Sequence, residues 1–228
     1  MGEETVKRAP GRGRFITFEG GEGSGKSTQI RKLSERLNAA KLRNIVTREP
    51  GGSPGAEIMR HLVLSGMGKL LGADAETLLF AAARDDHVRT VIQPALNQGT
   101  WVLCDRFSDS TRAYQVRVGN VAPAILNAME RVTIGDLKPD LTIILDVPIE
   151  IGLKRAALRR GVGAPDRFEA EDLTFHARLR EAYRQIAAED PQRCVLIDAA
   201  EDPDTVAGRV WTALRDHLFT LAPAAAPA

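Results

Sequence analysis

Residues 20–27, GGEGSGKS, fit G-x-x-x-x-G-K-[ST] at every fixed position. The apolar run FITFE stands immediately before them and a helical repeat follows. This feature constrains the fold more than any other. The loop works only if a strand delivers the chain and a helix takes it away, so that successive backbone N–H groups converge on a phosphate at the helix N-terminus. Gly20, Gly21, Gly23, Ser24, Gly25, Lys26, Ser27 and Thr28 are therefore expected to hold a nucleoside triphosphate. Lys26 would bridge its β- and γ-phosphates, and the Ser27 hydroxyl would ligate Mg²⁺. One residue is out of character: Glu22 places a carboxylate in the middle of an anion cradle.

The rest of the chain agrees with a strand–loop–helix start. Five short apolar runs rich in β-branched residues are predicted strands: 14–19, 43–49, 100–105, 141–147 and 194–199. Their apolarity is continuous rather than alternating, as in parallel strands buried on both faces. Between them lie helical patterns. Ile30, Leu33 and Leu37 repeat on one face after Ser27, and Val206, Val210, Leu214 and Leu218 repeat behind a cap at Asp202 or Asp204. Residues 74–97 predict a long helix with Asp74 as N-cap and a bend or break at Pro94. The alternation implies a three-layer, doubly wound α/β domain that binds ligands at the carboxyl ends of its strands.

Composition narrows the class. The chain has 228 residues, 43% hydrophobic, enough for one α/β domain with a sizeable core. With 31 basic against 30 acidic side chains the net charge is +1, which argues against a protein that coats nucleic acid. No apolar run approaches the ~18 residues of a membrane span. Cys104 and Cys194 each sit in an apolar run and read as reduced core residues of a cytoplasmic protein. Residues 1–13 contain no apolar signal core and are expected to form a flexible extension. Residues 14–220 form the single domain, and 221–228, low in complexity, a disordered tail.

A phosphate loop alone does not name a reaction. A guanine-reading N-K-x-D tetrapeptide does not occur, and LSGMG at 64–68 lacks the glycine and glutamine of a transporter signature. Other strand ends are more informative. TREPGG (47–52) follows the second strand and CDRFSDSTRAYQ (104–115) the third. Asp105 has the position of a carboxylate that holds a metal's water shell. Arg48 and Arg106 would point into the same crevice. Two such arginines exceed what one triphosphate needs and suggest a second anion facing the first. Phe80 and Arg84 share a helix face at i, i+4. Four histidines (His61, His87, His176, His217) fall in helical patterns at unrelated spacings and read as neither ligands nor bases.

Across about residues 14–216 the sequence resembles the thymidylate kinases, a family of P-loop nucleoside-monophosphate kinases. FEGGEGSGKST, TREPGG, LFAAARDDH, DRFSDSTRAYQ and LDVPIEIGLKR…DRFE carry the likeness. The resemblance implies a five-stranded parallel sheet of order 2-3-1-4-5, a homodimer, and phosphoryl transfer from Mg·ATP to dTMP for dTTP biosynthesis, without nucleic-acid or membrane partners. It implies that Phe80 stacks on thymine and Arg84 hydrogen-bonds the base. Thr111 and Gln115 would lie near the base, and Tyr114 would crowd C2′ in favour of deoxyribose. Arg48 and Arg106 would clamp the acceptor phosphate. Glu22 would turn from the ATP phosphates to accept from the dTMP 3′-hydroxyl. The phosphate loop has no arginine, matching relatives that carry arginines in a lid, here about 154–168. Arg159, Arg160 and Arg167 are the lid candidates for the transferred phosphoryl group, and Arg155 would lie against adenine.

Overall fold

The computed structural model describes residues 12–161 and 167–219. The flexible extension expected at 1–13 and the tail at 221–228 thus lie almost wholly outside the described residues, as does the middle of the expected lid. Five strands form one parallel sheet: β1 (Phe15–Glu19), β2 (Asn44–Arg48), β3 (Trp101–Asp105), β4 (Leu141–Asp146) and β5 (Cys194–Asp198). Their order is β2-β3-β1-β4-β5, as the resemblance implies. Each predicted strand is present and shortened by one or two residues: Arg14, Arg43, Glu49, Thr100, Val147 and Ala199 fall outside the ladders.

Continuous apolarity is explained by helices on both faces. On one face, Ile16 and Phe18 of β1, Leu103 of β3 and Leu141, Ile143 and Leu145 of β4 pack against helices α1 (Lys26–Ala39) and α9 (Pro203–Leu218). The predicted repeats Ile30, Leu33, Leu37 and Val206, Val210, Leu214 are the buried stripes of those helices. Asp202 caps α9, accepting from the N–H groups of Asp204 and Thr205. The alternate strand residues Phe15, Val102 and Cys104 face the other way. Each fully buried leucine, isoleucine or phenylalanine contributes roughly 1.5–3 kcal/mol, so the sandwich of β1 between two apolar layers is the main source of stability. Both cysteines are buried free thiols, and burial pushes Cys194 up to about 12 and Cys104 well above its ordinary value.

The long predicted helix is divided. A 3-10 turn (Met67–Leu71), which follows α2 (Pro54–Leu64), runs into α3 (Ala73–His87). The N-cap is Gly72 rather than Asp74. The chain enters α3 with φ +87° there, a left-handed conformation that glycine adopts without strain, and Asp74 falls in the first turn instead. After α3 comes a π-helical turn, Val88–Ile92, in which the Gln93 N–H reaches back five residues to the Val88 carbonyl. The short α4 (Gln93–Asn97) follows, with Pro94 in its first turn. The widened turn accommodates the N–H that proline lacks, which is the physical form of the break expected at Pro94. Four more helices complete the chain among the described residues: α5 (Ser108–Thr111), continued by a π-helical turn (Arg112–Val118); α6 (Pro123–Thr133); α7 (Ile149–Arg160); and α8 (Leu173–Glu189).

Candidate active site

The carboxyl ends of β1, β2 and β3 open on one cavity of about 290 Å³ beside the central strand, where an α/β sheet reverses direction. The phosphate loop forms one wall. Gly23 has φ +65°, and a Cβ there would sit 1.9 Å from the Gly152 carbonyl oxygen of α7. Gly20 has φ +132°, and its Cβ would come 2.5 Å from Leu145 O of β4. Only glycine fits either position, since both the backbone angle and the neighbouring strand or helix forbid a side chain. Lys26 Nζ donates to the carbonyls of Gly20 (3.1 Å) and Gly21 (3.0 Å), which curls the loop around the ammonium group. Burial and the nearby Arg106 charge lower the Lys26 pKa.

Glu22 answers its own anomaly. Its carboxylate leaves the loop and accepts from Arg106 Nη2 at 2.7 Å and from the Tyr114 hydroxyl at 3.1 Å. Burial alone would raise its pKa. The charges of Arg106 and Lys26 and the Tyr114 hydroxyl outweigh burial and hold it down at about 2. The loop's one negative charge therefore faces away from the cradle, toward the segment that follows β3.

That segment is anchored at an unusual residue. Arg106 adopts φ +70°, left-handed and strained for a non-glycine. Arg106 Nη1 donates to Gly20 O, Ser110 Oγ and Tyr183 Oη, so its guanidinium spans from the phosphate loop to α8. Arg48, at the end of β2, lines the same cavity and pairs with Glu57 at 2.8 Å. Phe80 is half-buried and lines the cavity rather than being sealed in the core. Arg84 is buried beneath it. Its Nε donates to Glu49 Oε2 at 2.7 Å, and its Nη2 to Phe107 O and Thr111 Oγ1. Among the described residues no acceptor takes Arg84 Nη1. Tyr114 and Gln115 complete the wall. Every residue assigned by resemblance to the monophosphate side thus lines one cavity with the phosphate loop.

The lid candidates separate. Arg159 lines the cavity and also reaches Glu169 at 2.9 Å. Arg160 pairs with the same Glu169 at 2.7 Å, and Arg167 forms a two-bonded pair with Glu76 at 2.6 and 2.7 Å. Neither of these two lines the cavity. Arg155 also lies outside its lining, donating to the carbonyls of Ala199, Ala200 and Glu201 after β5.

The chemistry of the donors suits magnesium brought in with a triphosphate. Ser27 Oγ donates to Asp105 Oδ2 at 3.0 Å at the mouth of the cradle. No group of three or more His, Cys, Asp or Glu able to hold a metal occurs among the described residues. One hydroxyl and one carboxylate cannot cage a cation alone, but they fit Mg²⁺, which keeps several waters and takes phosphate oxygens as ligands.

Sequence reasoning missed the support behind these residues. Glu49 accepts from Arg84 and contacts His87 Nδ1 at 3.0 Å, while His87 Nε2 contacts Thr47 Oγ1 at 2.7 Å. Glu19, fully buried, accepts from Phe107 N, Ser110 N, Ser110 Oγ and the Tyr183 hydroxyl. Both glutamates lie inside the quoted motifs FEGG and TREPGG. The signal was a carboxylate at the end of an apolar strand, where burial forces it to find partners. Tyr183 lies in α8, 73 residues beyond the Ser110 it contacts, and carries no local signal.

Comparison with known proteins agrees with the geometry. A family model described as thymidylate kinase matches residues 18–210. The chain is 77% identical over 219 residues to a thymidylate kinase from Bradyrhizobium diazoefficiens, covering 96% of each chain. It is 77% identical over 220 residues to one from Nitrobacter winogradskyi, again covering 96% of each. The crystal structure of thymidylate kinase from Ehrlichia chaffeensis superposes with a TM-score of 0.72 at 33% identity, covering 90% of this chain and 100% of that one. The shared motifs, the strand order and the matched length lead to one conclusion: the chain belongs to the thymidylate kinase family.

Proposed function

We propose that this cavity and the phosphate loop beside it seat two nucleotides end to end, ATP on the loop and dTMP against Phe80, Arg84 and Tyr114. The enzyme transfers the γ-phosphoryl group of ATP to dTMP, giving dTDP and ADP for dTTP synthesis. The observation that carries the two-pocket reading is the orientation of Glu22, whose carboxylate turns out of the phosphate loop to Arg106 and Tyr114, both of which line the cavity.

An oxygen of the dTMP phosphate attacks the γ-phosphorus as the bond to the β–γ bridging oxygen breaks, and ADP leaves with that electron pair. The attacking oxygen is already ionised near neutral pH, since the second pKa of a phosphomonoester is about 6, so no general base is required. Rate enhancement then comes from alignment and charge neutralisation. Lys26 and the loop N–H groups fix the donor, while Arg48 and Arg106 fix the acceptor. Arg159, which lines the cavity, would meet the charge on the transferred group. Ser27 and, through water, Asp105 would hold Mg²⁺, which would supply positive charge to neutralise the donor phosphates. Arg84 Nη1 is the donor left for the base. Arg155 would bound the adenine side from its seat on the loop after β5.

Glu22 could instead serve as the base of a kinase that phosphorylates a sugar hydroxyl. A carboxylate held at about 2 by two cations is too weak a base for that role. The homodimer and the cytoplasmic location belong to the same proposal. Exposed Ile58, Leu78 and Val132 on the neighbouring helices α2, α3 and α6 support the first. Buried free cysteines support the second, and no helix among the described residues is long and apolar enough to cross a membrane. ADP release measured with Mg·ATP and dTMP, thymidine or no acceptor tests the reading. Turnover with dTMP alone is expected. Equal turnover with thymidine, or none with dTMP, would overturn it.

A further inference from the structure

We infer that Glu19, the last residue of β1, is the positioning residue that sets Arg106 for the acceptor phosphate. The inference rests on the two-nucleotide reading and goes beyond it, since Glu19 does not line the cavity and touches no substrate site itself.

The geometry is specific. Arg106 sits in a strained left-handed conformation at φ +70°. Such strain persists only where the surroundings over-determine it. Upstream, the Arg106 N–H is fixed to Phe18 O at 2.9 Å, one residue before Glu19. Downstream, the very next N–H, that of Phe107, donates to Glu19 Oε1 at 2.8 Å, and Ser110 N donates to the same oxygen at 3.2 Å. The two consecutive N–H groups across the strained residue are therefore both held by the end of β1. Glu19 Oε2 meanwhile accepts from Ser110 Oγ at 2.6 Å and Tyr183 Oη at 3.0 Å, and these are two of the three oxygens that receive Arg106 Nη1. One carboxylate thus fixes both the backbone that aims Arg106 and the hydroxyls that seat its guanidinium. The third acceptor, Gly20 O, belongs to the residue after Glu19.

A fully buried carboxylate is a costly way to hold a loop, and a purely apolar strand end would be cheaper. Burial and the Asp109 charge push the Glu19 carboxyl up to about 7, and the cost is understandable if its ionised form must accept four hydrogen bonds at once. Glutamine cannot do this. Its amide oxygen still accepts from the two backbone N–H groups, but its NH₂ donates where Ser110 and Tyr183 also donate. Both hydroxyls must then turn their protons away from residue 19, and each keeps one lone pair rather than two for Arg106 Nη1, so the seat of the guanidinium shifts.

Steady-state kinetics of Glu19→Gln, with Tyr183→Phe as companion, test the inference on the full chain. The expected result is a fall of about tenfold or more in kcat/KM for dTMP, as for a reacting group displaced by a fraction of an ångström, with KM for ATP within about twofold of wild type. Tyr183→Phe, which removes one of the two hydroxyls and leaves the backbone bonds alone, should fall in the same direction by less. A Glu19→Gln enzyme that keeps kcat/KM for dTMP within about twofold would overturn the inference, as would one that loses ATP and dTMP affinity together in step with its melting temperature. Failure of the wild-type enzyme to use dTMP at all would instead remove the two-nucleotide reading.

Discussion

Replacing Glu22 by glutamine removes one charge and little volume, and the structure gives two routes to its effect. The first is the carboxylate's own titration. Its pKa falls from an ordinary 4.5 to about 2, and that difference corresponds to about 3 kcal/mol of folding stability at neutral pH. The second is the pair itself. Arg106 and Glu22 are 2.7 Å apart with side chains only 16% and 13% exposed, and removing one partner of a buried pair costs about 3–5 kcal/mol. Glutamine keeps an oxygen for Arg106 and Tyr114, so the low end applies. The sign over pH follows from the depressed value. The contribution is complete above 4.5 and is lost as pH falls from 4.5 toward 2. Urea unfolding should place the variant about 3 kcal/mol below wild type at pH 7, narrowing to about 2 kcal/mol at pH 3.5. Coincident midpoints at pH 7, or a gap that widens with acid, would refute the assignment of Glu22 as a carboxylate stabilised by Arg106 and Lys26.

Three further outcomes are expected. Arg106→Ala should lower kcat with dTMP by roughly 10³-fold while ATP binding changes little, because Lys26 still occupies the Gly20 and Gly21 carbonyls; near-wild-type turnover would remove Arg106 from the acceptor clamp. Gly23→Ala combines a left-handed φ with a Cβ 1.9 Å from Gly152 O, so the loop must move away from α7, at about 1–3 kcal/mol of strain or more. Calorimetric titration should show correspondingly weaker ATP binding. Competition between dUMP and dTMP should favour dTMP by a factor of roughly five, as one buried methyl group is worth on the order of 1 kcal/mol; complete refusal of dUMP would mean a pocket closed by sterics rather than by a lost contact.

The strands and the phosphate loop were legible because they are local. Apolar runs of five or six residues and a glycine at each tight angle act within a few residues of themselves. The same holds for the α1 and α9 stripes. Boundaries were less legible. Asp74 is a better capping side chain than Gly72, yet the preceding 3-10 turn demands a left-handed residue, and backbone geometry took precedence over capping preference. In the lid, five basic residues between 154 and 167 gave no means of ranking Arg159, Arg160 and Arg167 or of fixing the seat of Arg155. Ranking required knowing where Glu169, Glu76 and the carbonyls after β5 lie, and those partners come from three different parts of the chain.

Taken alone, the amino-acid order determined the class of fold, the triphosphate cradle and the residue types that face a second anion, since each depends on short-range spacing or on which side chains repel water. Tertiary structure alone decided the direction of the Glu22 carboxylate, the left-handed pose of Arg106 and the burial of Glu19 behind it. These depend on groups 70 or more residues apart meeting in a poorly solvated interior, where a charge must find its partner and no local pattern names which one it will be.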